Sequence, residues 1–177
     1  ELGLASSGRS QVQSAWRPVI DEVARRTRLT TYLMARSDAE AVCLICVEGA
    51  AVIRAKPLEL GQRLPLGIGA GSVAILATLD DDEIKEIIAA QHTDLDLYPG
   101  GRDEIARILE RIDHVRQLGF SLSSGSVATG VSGIGVPVLP KKGLMQLAVS
   151  VSAVTETVTV EEGRTIAKVI RAAIQQF

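Results

Sequence analysis

The order in which the hydrophobic period changes along the chain restricts the fold more than any other feature. Three strand-like stretches, TTYLMAR (30–36), AVCLICVE (41–48) and AAVIRA (50–55), follow one another, separated only by SDAE and Gly49 and closed by Pro57. A block with helical spacing comes next, and then GFSLS (119–123), VSGIGVPVL (131–139) and LMQLAVSVSA (144–153), the last two joined through a PKKG turn as a hairpin. Strands grouped in this way, and not alternating with helices, argue against a doubly wound parallel sheet. The expected class is α+β: an antiparallel sheet of about six strands with helices packed on its faces.

The helical segments have their own punctuation. Val12, Trp16, Val19, Ile20 and Val23 share one face, interrupted by Pro18, which predicts two short helices or one bent one. Ser72 to Leu79 is expected to be helical. Asp80 caps a following helix, with Glu83 three residues on and Ile84, Ile87 and Ile88 buried. HTDLDLYPGG (92–101) is expected as loop. Asp103 to Leu118 carries Ile105, Ile108, Leu109, Ile112 and Val115 on one stripe and stops at Gly119. A final helix opens on Thr159 and Glu162 as a capping box and buries Ile166, Val169, Ile170, Ala173 and Phe177.

With 177 residues, 46% of them hydrophobic, one domain with one sizeable core is expected. The longest apolar runs fall well short of the roughly 20 residues of a membrane helix, so no membrane partner is expected. The first ten residues have no basic stretch leading into an apolar one, so they do not read as a signal peptide, and the missing initiator methionine suggests a fragment. A net charge of −2 with scattered basic residues makes this stretch alone a poor nucleic-acid binder. Cys43 and Cys46 are expected on opposite faces of a strand, as buried thiols in a reducing cytoplasm, with no metal or other cofactor between them.

LPLGIGAGSVAILA (64–77) places three glycines within five positions in front of a helix. The string Gly69-x-Gly71-x-x-Ala74 matches the dinucleotide fingerprint, but the fingerprint requires a buried strand before it and Pro65 stands there. A phosphate loop is excluded because no Lys-Ser or Lys-Thr follows. Two readings stay open: bare backbone admitting an anion to unpaired helix amides at Ala70 and Gly71, or a sharp entry into a packed helix. In QLAVSVSA, Gln146, Ala148, Ser150 and Ser152 share a face that either meets solvent or lines a cavity. The serine-rich GFSLSSGSVATG has no carboxylate or histidine beside it, and His92 and His114 fit no triad, so an enzyme is not expected and no catalytic residue is assigned.

GQRLPLGIGAGSVAILA, GFSLSSGSVATGVSGIGVPVL, LAVSVSA and TVEEGRTIAKVI resemble, in order and spacing, successive blocks of the IclR family of bacterial transcription regulators. The resemblance spans the chain from Val12 on. It implies a GAF-like effector-binding domain over 16–177, with residues 1–15 the end of a helix linking it to a winged helix-turn-helix domain. Operator DNA is then contacted only through that further domain, and a homodimer or homotetramer is implied. Members that bind small keto acids hold the carboxylate on amides corresponding to Ala70 and Gly71, beside Gly69, with two strand serines matching Ser150 and Ser152. Their aspartate and cysteine fall here at Ser123 and Gly133, and their signature Gly-Lys at Ser72 and Val73. Losing an acid and a thiol predicts a wider, less polar pocket for a larger aliphatic or aromatic carboxylate. Its walls are expected from Leu64, Leu66, Ile68, Val131 and Ile134, with Phe120 nearby. The alternatives are a GAF-like assembly domain without ligand and, behind it, a small-molecule hydrolase.

Overall fold

A computed structural model of the chain describes residues 2–91, 97–99, 104–139, 145–155 and 157–177, without the side chains of 2–7, 104 and 105. Its elements are α1 (Leu2–Thr27), β1 (Thr30–Ser37), β2 (Glu40–Val47), β3 (Arg63–Pro65), α2 (Ala70–Leu76), α3 (Asp81–Ala90), α4 (Glu104–Leu118), β4 (Ser121–Ser124), β5 (Val131–Val138), β6 (Leu147–Val154) and α5 (Val160–Gln175). The six strands form one antiparallel sheet in the order β3-β2-β1-β6-β5-β4. The two sequence groups of strands are thus joined side by side through β1 and β6, which gives the expected α+β architecture.

Side chains alternate along each strand and divide the interior in two. Tyr32, Met34, Ala41, Cys43 and Ala148 face a layer built from α2, α3 and α4. Leu33, Ala35, Val42, Ile134, Val136, Val149 and Val151 face α1 and α5 on the other side. The capping box at Thr159 is formed, and Asp80 accepts a hydrogen bond from the Glu83 amide. Helix α4 stops at Gly119, whose φ of 81° lies in the left-handed region glycine favours.

Several expectations are corrected. Residues 50–55 form no strand; the third strand is the three-residue β3, whose Pro65 and Arg63 pair with Glu40 and Val42. The backbone at 50–55 is engaged elsewhere, Ala51 N–H donating to Arg28 O and Ala55 O accepting from Ser152 Oγ, while Val52 is 96% exposed. Of the two readings at Pro18, two short helices are excluded: α1 is one helix with Pro18 inside it, and Val19, Ile20 and Val23 pack under the sheet. Leu109 is exposed, and so is Phe177, though its ring centroid lies 5.0 Å from that of Trp16. The PKKG turn, His92 and Asp103 lie outside the described residues.

The two cysteines also depart from simple alternation. The β1–β2 register slips between Leu33, opposite Ile45, and Met34, opposite Cys43, so Leu44 is an extra residue. This bulge puts Leu44 and Ile45 in succession on the α1 side and returns Cys46 to the same face as Cys43. Burial pushes the Cys43 thiol up to about 12 and raises that of the half-buried Cys46 as well.

Candidate functional site

Helix α2 lies directly on the backbone of β5. A Cβ on Gly135 would stand 2.4 Å from Ala70 O, and one on Gly133 would stand 3.1 Å from the Ala70 Cβ, so only bare backbone allows this approach. Ser121, on neighbouring β4, donates its hydroxyl to Ala70 O at 2.6 Å. At the far end of α2, Arg116 of α4 donates to Ala77 O at 3.3 Å and Leu79 O at 2.9 Å and pairs with Asp81 at 2.7 Å. Both ends of α2 are therefore fixed by side chains from other elements.

The entry loop uses its own amides selectively. Ile68 N–H donates to Pro65 O, Gly67 N–H to Ser72 Oγ and Gly69 N–H to Ser126 Oγ. Ser72, standing where the family signature has glycine, turns its hydroxyl back onto Ile68 O. The next amides, those of Ala70, Gly71 and Ser72, have no acceptor among the described residues. Their burial makes this a cost unless something in the adjacent space accepts them.

That space is a cavity of about 40 Å³ between α2 and the sheet, lined among others by Gly69, Ala70, Gly71, Ser72, Ser123 and Ser150. Leu64, Val131, Gly133 and Ser152 also border it. The hydroxyls of Ser123 and Ser150 make no hydrogen bond among the described residues, although both residues are buried. A Cβ on Gly71 would approach Ser150 Oγ to 2.9 Å, so the Gly71 backbone and that hydroxyl are close neighbours on the cavity wall. Among the described residues no Asp, Glu, His, Lys or Arg lines it. Tyr32 is the titratable group among those lining residues, and burial raises that phenol far above its ordinary value.

The structure brings nine of the thirteen sequence-chosen residues to the cavity: Leu64, Gly69, Ala70, Gly71, Ser123, Val131, Gly133, Ser150 and Ser152. Leu66 and Ile68 are buried in the α2–α4 core without bordering it. Ile134 and Phe120 belong to the opposite core, because strand alternation turns Ile134 away wherever Gly133 faces the cavity. Sequence reasoning missed Tyr32, Met34, Pro57, Leu58, Ser72, Val127, Ser132 and Val151. Tyr32 was findable, since a phenol in an otherwise apolar strand needs a hydrogen-bond partner. The cavity is small, about 40 Å³, with room for a few water molecules. At Gly133 little room is left, since a Cβ there would already stand 3.1 Å from both the Ala70 Cβ and Ser123 Oγ.

A six-stranded antiparallel sheet with helices on both faces and a hydroxyl-lined cavity under one of them defines an α+β domain with a candidate ligand site. The family described as bacterial transcriptional regulator IclR, C-terminal, matches residues 5–177. The chain belongs to the IclR family and corresponds to its C-terminal domain. It is 26% identical over 153 residues to the HTH-type transcriptional regulator KipR of Bacillus subtilis, covering 86% of this chain and 60% of that protein. The chain thus spans less than two thirds of this curated relative. Its fold superposes on the IclR of Thermotoga maritima with a TM-score of 0.79, at 22% identity, covering 93% of this chain and 66% of that one. The C-terminal domain of Escherichia coli KdgR gives a TM-score of 0.74 at 21% identity, covering 93% and 94%. Among the described residues no helix is long and apolar enough to cross a membrane.

Proposed function

We propose that the cavity receives the carboxylate of a small organic acid, and that its occupancy modulates DNA binding by a helix-turn-helix domain outside this chain. The observation that carries this reading is the convergence of unbonded amides at Ala70, Gly71 and Ser72 with the unbonded hydroxyls of Ser123 and Ser150. Such a set offers donors to an anion without any basic side chain, and the low-dielectric surroundings strengthen each bond. Neutral donors leave the acid's remaining surface to be chosen by Leu64, Val127 and Val131.

Calorimetric titration with pyruvate, benzoate, phenylacetate and hexanoate, each beside its methyl ester, tests this. Acids binding at least tenfold more tightly than their esters are expected; equal affinity removes the amide cradle. The small volume favours a second reading, an assembly domain whose cavity stays empty in a dimer or tetramer. Sedimentation velocity tests it through mass, and an oligomer indifferent to every acid that binds no site supports it over the first.

A further inference from the structure

The segment between β2 and β3 ties the cavity to the end of α1. At one end it clasps Arg28: Ala51 N–H donates to Arg28 O at 3.0 Å and the Arg28 guanidinium donates to Ala50 O at 3.0 Å. Gly49 lies so close that a Cβ would stand 2.1 Å from Arg28 O. Arg28 itself has a φ of 62° and donates its amide to Ala24 O, the last turn of α1, at 2.9 Å. Further along, Ser152 donates its hydroxyl to Ala55 O at 2.8 Å, and Pro57 and Leu58 roof the cavity.

A serine hydroxyl has one proton to donate. With that proton on Ala55 O, the contact of 3.2 Å between Tyr32 Oη and Ser152 Oγ assigns Tyr32 as donor, giving a relay Tyr32 → Ser152 → Ala55. Ser152 borders the cavity, so an occupant with its own acceptor competes for the same proton. If the occupant takes it, Ala55 O is left buried without its donor, a cost relieved when the segment lifts. Thr30, the cross-strand partner of Ser152 and on the same face, already carries a buried hydroxyl with no partner, so the closed state is imperfectly satisfied at this end of the sheet.

We propose that residues 49–58 are a strap latched by Ser152, and that an acid in the cavity unlatches it and loosens the α1–β1 corner at Arg28. This rests on the carboxylate reading above and adds its route to α1. The route requires only that the acid favour the unlatched state, which competition for one proton supplies.

The latch is tested first without ligand. Trypsin cleavage after Arg54, which is exposed on the strap, and hydrogen exchange at Ala51 and Arg28 are measured in the wild-type chain, Ser152→Ala and Ser152→Thr. Ser152→Ala is expected to raise both at least fivefold, Ser152→Thr to restore them, and exchange within 147–151 to stay unchanged, which separates unlatching from unfolding. Unaltered cleavage in a folded Ser152→Ala, or faster cleavage with unchanged exchange at Arg28, overturns the proposal. The same cleavage is then followed in the wild-type chain with each of the four acids named above that calorimetry shows to bind. Faster cleavage supports the latch, and slower or equal cleavage overturns it while leaving the effector reading standing. Should none of the four bind, the effector reading loses its support and the Ser152→Ala result still decides the latch.

Discussion

Gly135 holds Ala70 against the sheet: a Cβ at Gly135 would lie 2.4 Å from Ala70 O, the same oxygen that accepts the Ser121 hydroxyl at 2.6 Å. Gly135→Ala must therefore push the start of α2 off β5, because the clash is with backbone. A destabilisation of about 1–3 kcal/mol is expected from such overpacking. Urea unfolding measures it, and Ser121→Ala, which removes only the hydrogen bond, should cost less.

Gly71→Ala tests the cavity at its narrowest wall. The added methyl would stand 2.7 Å from the buried Met34 Cγ and 2.9 Å from Ser150 Oγ, so the neighbours must shift despite the gain of up to about 1 kcal/mol in helix propensity. A net destabilisation of about 1–3 kcal/mol is expected by urea unfolding, so binding is compared under conditions where the variant is fully folded. Affinity for any acid the wild type binds should fall at least tenfold by calorimetry.

Acid should weaken the protein through surface carboxylates held by a partner: Glu22, beside Arg25, together with Asp81 and Glu162. The Arg116 guanidinium lowers the Asp81 carboxyl, and the Thr159 amide and hydroxyl lower that of Glu162. A folded-state value below the unfolded one stabilises fully above the unfolded value, about 4, and the gain is lost as pH falls through the folded value. Thermal melts should be flat from about pH 7 to 5 and decline below about 4. The Asp81→Asn, Glu162→Gln double variant should lose part of that decline.

The thiols should differ in reactivity. Cys43 is buried and pushed up to about 12, whereas Cys46 is partly exposed. Iodoacetamide at about pH 8 should label Cys46 at least tenfold faster, with Cys43 reacting only on unfolding. Mass spectrometry of the labelled peptides measures both.

What the sequence made legible depended on local chemistry. Asp80 and Thr159 announce helix starts because a cap is a contact among residues three apart. Gly69–Gly71 and Ser150–Ser152 could be chosen because bare backbone and alternating hydroxyls are unusual within an apolar core. Residues 50–55 misled because Val52 and Ile53 sit in a short apolar run between turn signals, while the edge of β2 was taken by Arg63–Pro65 from farther along the chain. The shared face of Cys43 and Cys46 was hidden by one extra residue in the β1–β2 pairing. Ile134 and Phe120 were misplaced because a resemblance names neighbours in sequence, whereas alternation decides which side they face.

The absence of charged groups among the cavity's lining residues bears on how such a site diversifies. Amides belong to the main chain and survive nearly every substitution, so under the proposed function mutations at Leu64, Val127 or Val131 would retune which molecule fits without erasing the donors offered to its acidic end. A receptor built in this way would change its chemical preference by reshaping its walls, and its anchor would travel unchanged through that drift.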